Sequence, residues 1–288
     1  MKKIIKLVID YKIVAIIVFI ILLIMSIWII FKSDRKNETS SEREMNLEVV
    51  QKGNYKMAKT QDKLKAVEPE ELNLNEDLGS KSLDSKGITV SDKNELTQAI
   101  NNAKSGDIIN LKAGEYQVSL DINKSITLNG EGEKTIIKPQ NKSIALITIN
   151  NSGLNLNNLI LESSKIGINS MNSNLNLKNV KIRSIIATAL FAQNGKINID
   201  RVIIYDSGSA IKIQNAEGMI KNSIIHNNSN SGIEIYGSKM TITSNSITAN
   251  GSYGIFVDKQ SDTKIESNNV IGNTGYNVRL EKDDEIFN

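Results

Sequence analysis

The 288-residue sequence contains no cysteine, one histidine and two prolines, and only 5% of its residues are aromatic. The lack of cysteine excludes disulfide bonds and thiolate metal sites, and a single histidine excludes a metal site built from several imidazoles. The net charge is only +3. Its basic residues are scattered, whereas a nucleic-acid-binding protein needs a basic face with stacking aromatics. We therefore expect no nucleic-acid partner, no metal and no cofactor.

The sequence does contain a repeat of about 22 residues, and its clearest copies begin at Ala210, Gly232 and Gly254. A fixed period of this length is typical of a stacked repeat array. Two series of apolar residues follow the period together. The first series is Leu146, Ile168, Leu190, Ile211, Ile233, Ile255 and Val278, and the second is Leu156, Leu177, Ile199, Ile220, Ile242 and Ile265.

Within each copy, short runs of Ile, Val and Leu alternate with polar residues, which is the pattern of short β-strands separated by turns. One copy cannot bury its own apolar face, so successive copies must stack and pair their strands in parallel. The sequence therefore predicts an all-β parallel β-helix, a solenoid of coils with about three short strands each.

Two columns of polar residues also follow the repeat. We expect asparagines in one column to bond to each other along the solenoid, and the other column to form turns between coils. The first column is Asn158, Asn179, Arg201, Asn222, Asn245 and then Asn268 or Asn269, and the second is Ser163, Ser184, Asp206, Asn227, Asn250 and Asn273.

Residues 88–280 resemble the right-handed parallel β-helix superfamily that includes pectate lyases and alginate epimerases. The resemblance rests on the Gly-Ile-x-Ile and repeated Ile-x-x-Asn pattern, clearest at 232–250, and on 88–116, which is similar to the amino-terminal cap of that superfamily. It implies a right-handed coil, an exported protein and a polysaccharide ligand. In the enzymes, an Arg, Lys, His or Tyr removes the proton beside a uronate carboxylate, which calcium or a basic side chain neutralises.

The sequence departs from the enzymes of the superfamily at several points. The Asp-Pro-His-Asp motif of the epimerases is absent, because the two prolines are Pro69 and Pro139 and His226 follows two isoleucines. The clustered aspartates of the pectate lyase calcium site and the acidic groups of the polygalacturonases are also missing. The copies have nearly uniform length, so no long loop forms the wall of a cleft. These departures leave open whether the protein is an enzyme.

The amino-terminal part divides into three segments. Residues 1–12 form a short basic lead, which we place in the cytoplasm. Residues 13–31, from Ile13 to Phe31, carry no charge and would span about 29 Å as a helix, which fits a transmembrane anchor. A cleavable signal peptide is the alternative, although no Ala-x-Ala site follows.

Residues 32–87 are polar and are predicted to be a flexible linker. The β-helix domain, 88–288, is predicted to lie outside the cytoplasm of a single-pass membrane protein.

One soluble helix is predicted over 92–103. Asp92 can cap its start, and Glu95 lies three residues further on, as in a capping box. Leu96, Ala99, Ile100 and Ala103 form one apolar stripe, which we expect to cover the open first coil of the solenoid.

The first candidate site is a row of four residues at equivalent places in successive copies. Glu162, Arg183, Tyr205 and His226 would supply a carboxylate, a cation, a phenol and an imidazole along one face, and these are candidate catalytic residues. The alternative is a solvated stripe with one ion pair. A shift of one residue in the alignment would reverse the side that each residue faces.

The second candidate site lies on the first strand of each copy and has the composition of a carbohydrate groove, with aromatic rings to stack on sugars and polar groups to bind hydroxyls. The alternative is an ordinary strand surface with a Lys–Glu pair across coils. The candidate ligand-binding residues are Phe191, Lys212, Glu234, Tyr236, Phe256 and Asp258, with Gln193 and Gln214 in the same row as Tyr236.

Three functions are compatible with these features. The first is an anchored surface β-helix that binds a polysaccharide or cell-wall polymer. The second is a polysaccharide lyase or epimerase that acts on uronate polymers through the row from Glu162 to His226. The third is a structural spacer or assembly scaffold. The sequence leaves the oligomeric state undetermined.

Overall fold

The strands of the computed structural model, which describes residues 87–142 and 144–281, pair with strands about one repeat away in the sequence. Ile211 lies beside Ile233, and Ile233 lies beside Ile255. All strand pairs among the described residues are parallel, and together they form one continuous sheet of 20 strands. The repeat therefore folds into a parallel β-solenoid.

The strands follow one another in chain order. They are β1 (Ile88–Val90), β2 (Ile108–Leu111), β3 (Gly114–Gln117), β4 (Leu120–Ile122), β5 (Ile126–Asn129), β6 (Thr135–Lys138), β7 (Ala145–Asn150), β8 (Gly153–Glu162), β9 (Ile166–Met171), β10 (Asn174–Arg183), β11 (Thr188–Tyr205), β12 (Ser209–Lys221), β13 (Ile224–His226), β14 (Ile233–Tyr236), β15 (Lys239–Thr243), β16 (Ser246–Thr248), β17 (Ile255–Val257), β18 (Asp262–Glu266), β19 (Asn269–Ile271) and β20 (Val278–Leu280). A 3₁₀ turn spans Gly132–Lys134.

The pairings define three faces, which we name A, B and C. Face A comprises β4, β7, β9, the first parts of β11 and β12, β14, β17 and β20. Face B comprises β1, β2, β5, the first parts of β8 and β10, the middle of β11, the end of β12, β15 and β18. Face C comprises β3, β6, the ends of β8, β10 and β11, β13, β16 and β19.

The core is the inside of the solenoid. Side chains alternate between the two sides of a strand, so each face contributes one set of residues inward and one outward. Leu177, Ile199, Ile220 and Ile242 occupy one inward column, and each is at most 2% exposed. This column is the second predicted apolar series, and its register is confirmed. In the first series the register is wrong at one point: Ile147, not Leu146, pairs with Ile168.

The predicted helix over 92–103 corresponds to α1 (Lys93–Asn102). Asp92 accepts hydrogen bonds from the backbone N–H groups of Asn94 and Glu95, at 2.7 and 2.9 Å. Glu95 in turn accepts one from the backbone N–H of Ser91, the residue before the cap, so it reaches one residue beyond the reciprocal bond of a capping box. Leu96 is fully buried where α1 packs on β1 and β2. The helix therefore lies against the first coil.

The corners between faces B and C are formed by residues with positive φ, which fit tight bends. They are Asn158, Asn179, Arg201, Asn222, Ser244 and Ser267. The first predicted polar column is therefore correct as far as Asn222 and wrong by one residue after it. The second column contains the same error, because Ala249 and Gly272 occupy the corner positions that we assigned to Asn250 and Asn273.

The four displaced asparagines lie inside the solenoid rather than on its corners. Asn245 donates to Asn268 and Asn250 to Asn273, both at 2.9 Å. A shift of one residue moves a side chain from the outer to the inner side of a coil. An alignment error of one residue is therefore enough to place these asparagines on the corners instead of inside the solenoid. The predicted asparagine ladders exist, but they are internal in these coils.

The amino-terminal segments of the prediction, residues 1–86, lie outside the described residues, as does the charged tail at 282–288. Membrane anchoring through Ile13 to Phe31 and the flexible linker stay predictions. Within residues 87–142 and 144–281, no helix is long and apolar enough to cross a membrane.

Candidate functional site

The row Glu162, Arg183, Tyr205 and His226, which we name the arginine row, lies on face C with the predicted register. Nε of Arg183 donates to Oε2 of Glu162 at 2.8 Å, and Nη1 of Arg183 donates to the Tyr205 hydroxyl at 3.4 Å. The rings of Tyr205 and His226 stack with a centroid distance of 5.3 Å. The four side chains therefore form one continuous chain of contacts across four coils.

The electrostatics of the arginine row favour a charged Arg183. Its hydrogen bond with Tyr205 and the adjacent Glu162 carboxylate raise the pKa of the guanidinium above its ordinary value, although partial burial opposes the shift. A guanidinium held in this way can neutralise an anion, but it is a poor proton acceptor. If this row carries out acid–base chemistry, Tyr205 and His226 are better placed than Arg183 to move a proton.

The second predicted row lies on face A. Phe191 pairs with Lys212, Lys212 with Glu234, and Glu234 with Phe256, which confirms the register. Gln193, Gln214 and Tyr236 form the neighbouring outward row on the same face. The two candidate sites are thus on different faces of the solenoid, and the structure does not bring them together.

The carboxyl-terminal coils gather aromatic side chains on face A. Tyr236 contacts Phe256 with ring centroids 5.4 Å apart, Phe256 contacts Tyr253 at 5.3 Å, and Tyr253 contacts Tyr276 at 6.1 Å. A cation lies over each end of this chain of rings. Nζ of Lys212 is 4.9 Å from the Tyr236 ring centroid, and the Arg279 guanidinium is 5.1 Å from that of Tyr276.

We name this cluster the tyrosine patch. It comprises Lys212, Glu234, Tyr236, Tyr253, Phe256, Asp258, Tyr276 and Arg279. The Tyr236 hydroxyl donates to Oε2 of Glu234 at 3.2 Å, and Nζ of Lys212 lies 3.7 Å from the same oxygen. Burial raises the pKa of Tyr236 to about 12, and the nearby carboxylates of Glu234, Glu281 and Asp258 add to the shift.

Asp258, at the edge of the patch, supports the turn between faces A and B. Its Oδ1 accepts a hydrogen bond from the Gly237 backbone at 3.0 Å and another from the Ser261 hydroxyl. The bond from Gly237 links two coils at the corner between faces A and B, and the bond from Ser261 lies within one coil. Asp258 was predicted to bind a ligand, but its carboxylate accepts two intramolecular hydrogen bonds, and these would compete with hydrogen bonds from a ligand.

Three members of the tyrosine patch were missed in the sequence. Tyr253 and Tyr276 each lie two residues before an apolar position of the first series, Ile255 and Val278. Arg279 pairs with Phe256 in the next coil. Extending the row of Phe256 by one coil would have found Arg279, and including the turn residues before each strand would have found Tyr253 and Tyr276.

Neither candidate site lies in a deep cleft. The described residues include a shallow groove of about 430 Å³ at the corner between faces C and A, lined by Ile186, Asp206 and other small or polar residues. They contain no cluster of three or more His, Cys, Asp or Glu side chains arranged to hold a metal ion. Both candidate sites are therefore open surfaces, which suits an extended ligand better than an enclosed small molecule.

Comparison with known proteins finds similarity over part of the chain and at low sequence identity. No curated protein matches the sequence. Among solved structures, the PL6 family alginate lyase AlyGC is 17% identical with a TM-score of 0.47, over 69% of this chain and 39% of that one. The A-module of the mannuronan C-5 epimerase AlgE4 from Azotobacter vinelandii is 16% identical with a TM-score of 0.34, over 71% of this chain and 80% of that one.

The chain therefore spans about two fifths of the length of the lyase that it resembles. Residues 164–288 match a family model described as the right handed beta helix region. This match agrees with the parallel coils described above, so the fold is a right-handed parallel β-helix.

Proposed function

We propose that the β-helix binds a polysaccharide or cell-wall polymer along face A, through the tyrosine patch. The observation that carries the proposal is the unbroken series of ring contacts from Tyr236 through Phe256 and Tyr253 to Tyr276, with a cation at each end. Aromatic faces offer apolar area to sugar rings, while hydroxyl and charged groups at their edges bond to sugar hydroxyls.

The shape of the site supports a polymer rather than a single sugar. The patch extends over consecutive coils, which are about 4.8 Å apart, and the described residues raise no wall around it. An extended chain could therefore contact several coils at once. Lys212 is already paired with Glu234, whereas Arg279 is exposed, so Arg279 is the cation best placed to meet an acidic group on the polymer.

The test is binding of the full chain to a panel of acidic and neutral polysaccharides, comparing the wild type with Tyr253→Ala/Tyr276→Ala. Both tyrosines are half-buried surface residues, so the variant should keep the fold. We expect binding to weaken by roughly tenfold or more, which corresponds to about 1.4 kcal/mol. Tyr205→Ala, a matched loss of one tyrosine on face C, should leave binding unchanged. Equal effects of both variants, or no binding to any polymer, would contradict the proposal.

A second candidate function is a polysaccharide lyase or epimerase acting on uronate polymers through the arginine row. The contiguous contacts from Glu162 to His226 favour it, because a charged Arg183 could neutralise a uronate carboxylate beside Tyr205 and His226. The lyase assay is the ultraviolet absorbance of unsaturated uronate products, and the epimerase assay is the uronate composition of the polymer by NMR, with Arg183→Ala, Tyr205→Ala and His226→Ala as variants. Product formation that survives all three substitutions would remove this row from consideration.

We also propose that residues 13–31 anchor the protein in a membrane and place the β-helix outside the cytoplasm. The uncharged stretch of nineteen residues between Ile13 and Phe31 supports this, with Tyr11 and Trp28 near its ends. Protease added to intact cells should then remove the β-helix from a membrane-bound stub. A β-helix that is protected in intact cells, or released into the soluble fraction without cleavage, would contradict this placement.

A further inference from the structure

The groove at the corner between faces C and A lies directly beside the arginine row. Strands β10, β11 and β13 end with members of that row. The next residue of each coil turns the corner with positive φ: Ser184 after β10, Asp206 after β11 and Asn227 after β13. All three residues are exposed and line the groove. A ligand in the groove would therefore lie next to the guanidinium of Arg183.

The groove runs along the solenoid axis. Its volume is about 430 Å³, and the residues that line it come from three successive coils. Successive coils are about 4.8 Å apart, and successive sugars of an extended polysaccharide advance by nearly the same distance. One sugar can therefore face one coil, so that successive sugars contact the side chains of successive coils.

The polar side chains at this corner are not bonded to each other. At the corner between faces A and B, by contrast, Asn194 donates a hydrogen bond to Asn172 in the preceding coil at 2.6 Å. In the part of the chain that the structure describes, no hydrogen bond joins the side chains of Ser184, Asp206 and Asn227. Their donors and acceptors face solvent and are available to hydroxyl groups of a ligand.

Ile186 adds an apolar surface to the same groove. It is 66% exposed, compared with 48% for Ile88 and 47% for Ile144, the other exposed large hydrophobic residues among those described. A sugar ring presents C–H groups on its face and hydroxyl groups at its edge. An exposed isoleucine beside hydrogen-bonding side chains therefore fits a sugar ring.

The charge along the groove changes sign between its first two coils. Two cations lie at its amino-terminal end: Arg183, whose side chain is 34% exposed, and Lys165, an exposed residue whose backbone carbonyl accepts from the N–H of Ala187 at 2.9 Å. Glu162 is paired with Arg183 at 2.8 Å and offsets one of these charges. The next coil presents the exposed carboxylate of Asp206. An acidic sugar is therefore attracted at the first coil and repelled at the second.

We propose that the groove binds a polysaccharide in which acidic and neutral sugars alternate. The acidic group lies at Arg183 and Lys165, and the neutral sugar donates its hydroxyl groups to Asp206. A polymer with an acidic group on every sugar would place a second anion beside Asp206, so the groove favours the alternating polymer. This inference names a substrate class for the second candidate function, on which any reaction there rests, and it is separate from binding at the tyrosine patch.

The test measures the binding of three hexasaccharides by calorimetry. The full chain carries Tyr253→Ala/Tyr276→Ala, which disables the tyrosine patch and leaves the groove intact. The hexasaccharide of hyaluronan alternates acidic and neutral sugars, that of polygalacturonate is acidic at every sugar, and that of chitin is neutral. We expect the hyaluronan hexasaccharide to bind at least about tenfold more tightly than either of the others.

Two further substitutions connect that preference with the groove. Ile186→Ser should weaken binding of the hyaluronan hexasaccharide by about fivefold or more, whereas Ile144→Ser alters an exposed isoleucine outside the groove and should leave it unchanged. Asp206→Asn removes the charge and keeps a residue that tolerates positive φ. Because the repulsion is then lost, the preference for the hyaluronan hexasaccharide over that of polygalacturonate should fall to about threefold or less.

Equal binding of the hyaluronan and polygalacturonate hexasaccharides, or a preference that Asp206→Asn does not change, would show that the groove does not distinguish acidic from neutral sugars. Equal effects of Ile186→Ser and Ile144→Ser would place the site elsewhere. If the wild type binds these hexasaccharides and the double-tyrosine variant binds none, the groove is not a site, while binding at the tyrosine patch stands. If neither protein binds any of them, the groove and the tyrosine patch both fail for these sugars. Each of these results would overturn the groove proposal.

Discussion

Asn228 and Asn250 occupy the same inward position in adjacent coils, and Nδ2 of Asn228 donates to Oδ1 of Asn250 at 2.9 Å. The same oxygen accepts from the backbone N–H of Asn228 at 3.2 Å. Asn250 repeats both contacts with Asn273 in the next coil. The inward asparagines therefore satisfy the backbone of the preceding coil at a turn where the strand ladder is interrupted.

The first prediction is that Asn250→Ala lowers the free energy of unfolding by about 2–3 kcal/mol. Asn250 is fully buried, and its loss would leave the Asn228 N–H and the Ile225 carbonyl without their partner. Urea unfolding followed by circular dichroism measures the change. The control is Asn176→Ala, which removes two ladder bonds, with Asn155 and Asn198, on the exposed surface of face B and should cost less than about 0.5 kcal/mol. If both variants lower the free energy of unfolding equally, the buried asparagine ladder contributes no more to stability than the exposed one.

The second prediction concerns Gly208, where two coils approach closely. A Cβ atom at this position would lie 2.0 Å from the backbone carbonyl oxygen of Ala187. Relieving that overlap requires the coils to separate and weakens the hydrogen bond from Ser209 to Ala187. Gly208→Ala should therefore lower the free energy of unfolding by about 3 kcal/mol or more.

The matched control for Gly208 is Gly153→Ala. Its added methyl group would meet the side-chain oxygen of Ser125 at 3.1 Å, and a serine side chain can rotate away. We expect a loss below about 1 kcal/mol for this variant. Thermal unfolding of the two variants, compared with the wild type, gives the measurement. If Gly153→Ala proves the more damaging, close backbone contact does not explain the glycine at 208.

The sequence predicts the solenoid because the apolar period is imposed by stacking and is repeated in each coil. The column from Leu156 to Ile265 is in register throughout, and so is the row from Glu162 to His226. The errors in the polar columns occur where an asparagine directly follows the corner residue and was taken for it. Asn222 and Asn245 look equivalent in the sequence, but the corner residue of the later coil is Ser244 and Asn245 points inward.

The candidate sites were harder to predict than the columns. The repeat determines which strand residues share a row, but it does not determine which turn residues lie next to that row. The tyrosine patch depends on Tyr253 and Tyr276, which lie in turns rather than strands. The ring contacts of Tyr253 with Phe256 and of Tyr276 with Tyr253 do not recur in every coil, so the repeat does not predict them.

The third prediction concerns the ion pair between Lys181 and Glu133. The Lys181 side chain is 7% exposed and that of Glu133 is 39% exposed. Glu133→Ala would leave a buried ammonium without its partner and should cost about 2 kcal/mol, below the usual loss for fully buried pairs because Glu133 is partly solvated. Lys181→Met/Glu133→Ala should recover most of that loss, because an apolar side chain then replaces the charge beside Ile160 and Ile203. Urea unfolding of both variants provides the test, and a double variant that is less stable than Glu133→Ala would contradict it.

The fourth prediction is a loss of stability at alkaline pH that depends on Tyr236. Its pKa is raised from 10.0 to about 12 in the folded protein, mainly by burial and then by Glu234. Between these values the unfolded chain releases the phenolic proton while the folded protein keeps it. The stabilising contribution is therefore complete below about pH 10 and is lost as the pH rises to about 12.

Tyr236→Phe keeps a ring against Phe256 but has no proton to release, so its stability should decline less over this pH range than that of the wild type. Glu234→Gln should give an intermediate decline, since burial still raises the Tyr236 pKa when the carboxylate is absent. Tyr116, whose pKa is also raised to about 12 by burial, remains in both variants and contributes equally. Thermal midpoints measured across the range give the comparison. Parallel curves for the wild type and Tyr236→Phe would show that the Tyr236 proton is not coupled to folding, and that the hydroxyl is more solvated than its contact with Glu234 indicates.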